Sequence, residues 1–258
     1  MNFIFTEEQI QFKDAIKAFL NDECTPESIR SGWASKQSFN QNRWKGLADL
    51  GVLGSNLSED SGGLGMDQVA LVLMVEEMGY AGLPEPAAEQ TFLINDLLHM
   101  LPPKTQESIQ EHHMSGTSYI SVAHPLAPNP LFLKESAGLL IFEEDSYKFV
   151  LTSDVEFEEV VSNDPSRELG RIISIKNSIS SSENFELLNA AVSSRGALMT
   201  AALLIGLSQK MIDLSSAYAL DRTQFGKPSG AFQAVKHMLA DVAVALEFAR
   251  PAIYRAAY

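Results

Sequence analysis

The residues whose types and spacing best suit chemistry lie in one run, Leu220 to Asp241, which reads L-D-R-T-Q-F-G-K-P-S-G-A-F-Q-A-V-K-H-M-L-A-D. Arg222 and Gln224 place a guanidinium and an amide two positions apart, a donor pair able to make several hydrogen bonds to a phosphate or a ribose. That donor pair suits a large anionic ligand. The same spacing also allows a structural role, in which Arg222 complements the partial negative charge at the end of a helix.

Other candidates carry less. Glu76 and Glu77 are adjacent, so on a helix their side chains diverge by about 100° and do not share a proton. His112 and His113 diverge in the same way, and no third ligand follows at a useful spacing, so no metal site is expected. Gly62, Gly63 and Gly65 have the look of a phosphate cradle, but no strand precedes them and no Gly-Lys-Ser/Thr ending follows. A turn feeding the next helix accounts for them.

The elements that must position the run are two apolar helical patterns. Leu198, Leu203, Leu207, Met211 and Leu214 recur at helical spacing before it, and Phe232, Val235, Leu239, Val242, Leu246 and Ile253 after it. Gly226, Pro228 and Gly230 stop both patterns, which predicts two antiparallel helices joined by a short turn. Toward the N-terminus, Thr6 and Gln9 form a capping signature before an apolar face of Ile10, Ala15, Ile16, Phe19 and Leu20. A polar segment from Pro26 to Asn42 leads to a second helix carrying Trp44, Leu47 and Leu50. Further helical stretches are predicted over Asp67–Met78, about Ala87–Met100 and Gln106–His113.

From about Ser118 the texture changes to short β-branched and aromatic runs, Tyr119–Ala123, Gly138–Phe142, Tyr147–Thr152, Val155–Val161 and Arg171–Ile175. The predicted class is α+β, mainly α. Residues 1–116 form an N-terminal helical domain, 117–182 a small antiparallel β domain, and 183–258 antiparallel helices amounting to an incomplete four-helix bundle. The flanks of such a bundle need covering, which predicts an oligomer.

Composition narrows the partners. Over 258 residues, 33 acidic against 19 basic side chains give a net charge of −14, which argues against nucleic acid and against an anionic membrane. Lys210, Arg222, Lys227, Lys236, Arg250 and Arg255 nevertheless fall close together near the C-terminus, where a local basic pocket is expected. Cys24 is the single cysteine, so no intrachain disulfide forms, and it reads as packing in a reducing compartment. The N-terminus shows no signal segment and no apolar run reaches a spanning length of about 20 residues, so cytoplasm is expected.

The motif R-T-Q-F-G-K-P-x-x-x-F-Q-x-x-x-x-x-L-A-D, with W-K-G-L-A-D-L-G-V-L-G, S-E-D-S-G-G-L-G and V-E-E-M-G in the first half, resembles the acyl-CoA dehydrogenase family over nearly the whole chain. The resemblance implies a flavoprotein in which a carboxylate takes the acyl α-proton while the β-hydrogen leaves as hydride to flavin N5. The product is a 2-enoyl-CoA, and an electron-transfer flavoprotein receives the electrons. By position, Arg222, Gln224 and Phe225 would contact the pyrophosphate and adenosine half of FAD, with Phe232 and Gln233 beside it. Asp221 and Arg222 would lie near the acyl-CoA channel, in fatty acid or steroid side-chain breakdown.

The chain departs from the family's pattern in three places. Where the family carries a T-E-P-x-x-G-S-D-like flavin loop, this chain reads S-V-A-H-P-L-A-P-N-P. It stops at Tyr258, before the helices that commonly bring the catalytic glutamate. Between Leu187 and Ala219 the one carboxylate is Asp213, which reads as a solvated or pairing residue, so no catalytic base is assigned. The expectation is a subunit of a homo- or hetero-oligomer completed by a partner or a longer chain. Two alternatives are a catalytically silent scaffold subunit and a flavin monooxygenase of the same fold.

Overall fold

The computed structural model describes residues 4–95, 97–110 and 116–258. The protein is α+β and mainly helical. The described residues group into two compact units, one formed by residues up to Asp22 with Gln68–Leu83 and Leu198–Tyr258, the other by Glu23–Asp67 and Pro84–Ala197. The boundaries at 116 and 182 follow changes of element type, whereas these units follow packing. His112 and His113 lie outside the described residues.

In the first unit, α1 (Glu7–Glu23) opens with the reciprocal cap predicted from sequence: the Gln9 amide nitrogen donates to Thr6 Oγ1 at 3.1 Å, and the Thr6 amide to Gln9 Oε1 at 3.0 Å. Ile16 and Leu20 form its buried edge. Helix α4 (Gln68–Ala81) has a run of buried residues from Ala70 to Val75, so it is apolar on nearly every side. It crosses the C-terminal part of α7 (Phe185–Asp221) at backbone distance. A Cβ on Gly206 would lie 1.9 Å from the carbonyl oxygen of Glu76, and one on Gly79 would lie 2.2 Å from that of Leu203. Only glycine fits either position.

Helix α8 (Gln233–Ala257) returns antiparallel to α7. Leu198, Met199, Ala202 and Ile205 form the buried stripe of α7, and Leu246 is the buried residue of α8. Leu207, Met211 and Leu214, predicted to lie on the buried stripe, are instead exposed, as are Met238, Val242 and Phe248 on α8. The apolar period is present on both helices, but four of its eleven residues, Leu207, Met211, Leu214 and Val242, face away from the chain's own core. Helix α7 also holds a window of mean hydropathy 1.5 that is long and apolar enough to cross a bilayer by length and composition, with 33% of the window buried in the fold.

The second unit contains a helix that the sequence does not announce. The polar segment after Cys24 forms α2 (Pro26–Ser35), capped by Thr25 and started by proline. None of its residues is buried, so it shows no apolar stripe to read. Helix α3 (Gln41–Asp49) buries Trp44 and Leu47, and Trp44 joins Phe39, Tyr119 and Phe132 in one aromatic cluster. A short α5 (Ala87–Glu89) continues as a π-helical turn, Gln90–Asn95, and α6 spans Pro103–Gln110.

Five strands stand where the sequence places them: β1 (Ile120–Ala123), β2 (Gly138–Phe142), β3 (Tyr147–Leu151), β4 (Val155–Val160) and β5 (Leu169–Ile175). A sixth, β6 (Ile179–Ser181), pairs with the edge of β3. The pairing is antiparallel except that β1 runs parallel to β2, with Ile120 opposite Gly138. The four-stranded sheet β1-β2-β3-β6 and the ribbon β4-β5 enclose Leu133, Leu139, Ile141 and Val150, with Phe157 and Ile172 packed against them.

Cys24 sits beside a buried ion pair. Both partners are almost solvent-free, and Arg43 forks onto Glu85 with Nε to Oε2 at 2.7 Å and Nη2 to Oε1 at 2.6 Å. Burial pushes the Cys24 thiol up to about 12, so it packs as an unreactive neutral group. Removing one partner of such a pair strands the other charge. Arg43→Ala is expected to cost about 3–5 kcal/mol in chemical unfolding, with much of the loss recovered in an Arg43→Met/Glu85→Leu double variant.

Candidate functional site

The run singled out from sequence is an exposed hairpin at the end of α7. Strands β7 (Thr223–Gln224) and β8 (Lys227–Pro228) pair in antiparallel register across Phe225 and Gly226, which both take left-handed backbone angles, φ 53° and 80°. A two-residue reverse turn with both central residues at positive φ matches the twist of paired strands. Glycine adopts that angle freely, whereas Phe225 does so at a cost. Its ring is 93% exposed and meets Phe232 edge to face at 6.2 Å.

The structure brings Asp221, Arg222, Gln224, Phe225, Phe232 and Gln233 together within this hairpin and the helix ends that flank it. The Arg222 amide closes the last turn of α7 on Tyr218 O at 2.9 Å, and Arg222 O accepts from Ser229 N at 2.7 Å. The guanidinium donates to Tyr218 Oη at 2.9 Å. Lys227 lies over the ring of Phe232, Nζ 4.4 Å from its centroid. Two cations and one amide thus stand at an exposed aromatic corner, a donor set that fits the pyrophosphate and adenosine half of a dinucleotide. The predicted basic pocket is smaller than the sequence suggests, because Lys210 sits over Tyr80 and Arg250 is turned toward Glu76 on α4.

The β-domain loop does not offer a matching set for a flavin ring. The Ser121 hydroxyl is spent on Leu131 O at 3.0 Å. His124 Nδ1 accepts from Leu126 N, which leaves Nε2 to donate to Asn189 Oδ1 at 2.8 Å. Ser121 and His124 are therefore engaged within the chain, and Leu126 is exposed. The residues fit one half of the cofactor.

The remaining ionisable cluster belongs to the first unit and lines a cavity of about 340 Å³ between α1, α4, α7 and α8. Asp213, the one carboxylate between Leu187 and Ala219, accepts from Tyr80 Oη and from Gln209 Nε2, both at 2.9 Å. It is a pairing residue, as its place in the sequence suggests. Glu76 and Glu77 diverge: Glu76 lies 3.6 Å from Arg250 Nε and accepts a hydrogen bond from Tyr254, while Glu77 lies 3.9 Å from Lys17. Among the described residues no group of three or more His, Cys, Asp or Glu side chains could hold a metal ion.

Two groups at the site escaped the sequence reading. Tyr218 gave a usable signal, since a residue four before Arg222 lies on the same helical face. Lys227 was counted as charge, but its seat on Phe232 depends on the hairpin turn.

A long apolar helix pair carrying this hairpin, with helices and a small β domain before it, defines a mainly helical architecture in three parts. Residues 6–102 match the N-terminal domain of acyl-CoA dehydrogenases and residues 190–258 their C-terminal domain, and the chain belongs to that family. It is therefore an oxidoreductase subunit of the kind that acts on CH–CH groups. The acyl-CoA dehydrogenase IpdE2 of Mycobacterium tuberculosis is 26% identical over 250 residues, covering 96% of this chain and 74% of IpdE2. FadE34 of the same organism is 28% identical over 222 residues, covering 79% of this chain and 30% of its own. The ChsE4–ChsE5 complex from Mycobacterium tuberculosis contains a similar fold at 20% identity, with a TM-score of 0.87 over 100% of this chain and 79% of that one. PigA with FAD and proline is similar at 17% identity and a TM-score of 0.79, over 100% of this chain and 80% of that one.

The Glu76 cluster yields a test of its own. Burial raises the Glu76 carboxyl above its ordinary 4.5, more than Tyr254 and Arg250 lower it. The folded state thus holds the proton more tightly than the unfolded chain does. Its stabilising contribution is full below the unfolded value and is lost as pH rises through the raised folded value. Glu76→Gln keeps an acceptor for Tyr254 and removes the titration. Thermal midpoints measured from about pH 4 to about pH 8 are expected to decline less with rising pH in the variant than in the parent.

Proposed function

We propose that this chain is the FAD-contacting subunit of an acyl-CoA dehydrogenase that oxidises an acyl-CoA thioester to its 2-enoyl-CoA. The observation that carries the reading is the exposed corner of Arg222, Gln224, Phe225 and Lys227, set beside the uncovered apolar faces of α7 and α8. Arg222 and Gln224 hold the pyrophosphate, and Phe225, Phe232 and Gln233 border the adenosine. When bound, the flavin accepts the β-hydrogen as hydride. Asp221 and Arg222 stand on the side from which the thioester enters.

The proton-accepting base comes from outside the described helices, because Asp213 is already shared by Tyr80 and Gln209. A partner subunit of the same fold, or further chain, supplies that base together with the hydroxyls that the 121–130 segment does not present. The ChsE4–ChsE5 structure is a complex of two proteins, which supports a heteromeric arrangement for this chain. An electron-transfer flavoprotein is the proposed acceptor, and the reaction is placed in the cytoplasm.

A catalytically silent scaffold is the competing reading, favoured by the same lack of a base. Arg222→Ala separates the two. As the flavin-contacting subunit, the assembled protein carrying this change binds FAD roughly 10–100-fold more weakly, the loss of a hydrogen bond to a charged group, with its subunit stoichiometry unchanged. Unchanged flavin content with a broken assembly supports the scaffold.

The exposed apolar helix faces make a second prediction. Light scattering is expected to show the purified chain as an oligomer or in complex with a partner, and a monodisperse monomer would refute this.

A further inference from the structure

The Arg222 guanidinium is held before any ligand arrives. It donates from Nη1 to Tyr218 Oη at 2.9 Å and lies over the same ring, with Cζ 5.6 Å from the centroid. Stacking within about 6 Å is the range in which a cation is drawn to an aromatic face. The backbone of Arg222 is fixed on both sides, by Tyr218 O and by Ser229 N. Tyr218 is itself rooted in α7, where α4 and the buried stripe hold the helix.

We infer that Tyr218 is a positioning residue that pre-aims Arg222 for a pyrophosphate. The inference rests on the hairpin being a dinucleotide contact. An arginine on an exposed turn has many rotamers, and freezing one of them is a cost that binding must otherwise meet. With Nη1 engaged by the Tyr218 hydroxyl, Nε and Nη2 are left for a ligand. Lys227 over Phe232 repeats the arrangement on the facing strand with a different aromatic. The ring supplies the platform and the hydroxyl sets the rotation of the guanidinium about it.

The test measures dissociation constants for ADP and FAD with the protein in the assembly in which it purifies. Tyr218→Leu, which removes ring and hydroxyl, is expected to weaken both ligands roughly tenfold. Tyr218→Phe, which keeps the ring, is expected to weaken them about threefold, the scale of one neutral hydrogen bond. Thermal midpoints of both variants stay at the parent value. In an Arg222→Ala background, Tyr218→Leu adds no further loss, because its effect runs through the arginine.

Full additivity in that double variant, or a lowered midpoint that accounts for the weaker binding, would overturn the positioning role while leaving the hairpin a ligand contact. Unchanged ADP and FAD affinity in Arg222→Ala alone would instead remove the dinucleotide contact. Failure of the parent assembly to bind either probe removes both.

Discussion

The constraint on which the first unit depends is the backbone contact between α4 and α7. Gly79 and Gly206 let the two helices approach until main-chain atoms touch, so neither helix can slide or rotate without a clash. That contact fixes the line of α7, and the line of α7 fixes where the hairpin stands at its end. It also brings Glu76, Tyr80, Gln209, Asp213 and Arg250 close enough to form one polar network behind the apolar stripe. The exposed side chains of the hairpin thus stand on a helix whose line is set by that contact.

In the second unit, recognition groups are largely used up in folding. Arg43 and Glu85 satisfy each other, and Asn40, which donates its backbone amide to Glu85, also caps α3. His124 and Ser121 point back into the chain. At the hairpin, by contrast, Arg222, Gln224 and Lys227 are exposed together at one corner. The chain spans about three quarters of the length of IpdE2.

The sequence made the helices around the hairpin and the strands of the β domain legible, because apolar period and turn residues were locally strong. Thr6 with Gln9, the continuous apolar run Gly138–Phe142 and the stop at Gly226 each act within a few residues. Helix α2 was not legible, since its ten residues bury nothing and hence have no stripe. The parallel pairing of β1 with β2 depends on which edge is free after folding, a tertiary fact. The apolar residues of α7 and α8 show the same limit at a larger scale: period tells which face avoids water, and Met211 and Phe248 could not reveal that the cover is not this chain's own core. At the site, Arg222 and Gln224 were visible through motif and residue type, whereas the engagement of His124 with Asn189 joins residues 65 apart.

The left-handed turn at Phe225 has an entropic meaning. A ring carried on a two-residue reverse turn, with paired strands on either side, keeps few orientations to lose when another surface closes over it. Its disorder has already been surrendered during folding. Any surface that covered this ring would meet a backbone already fixed by folding, so less ordering would be left to lose on contact.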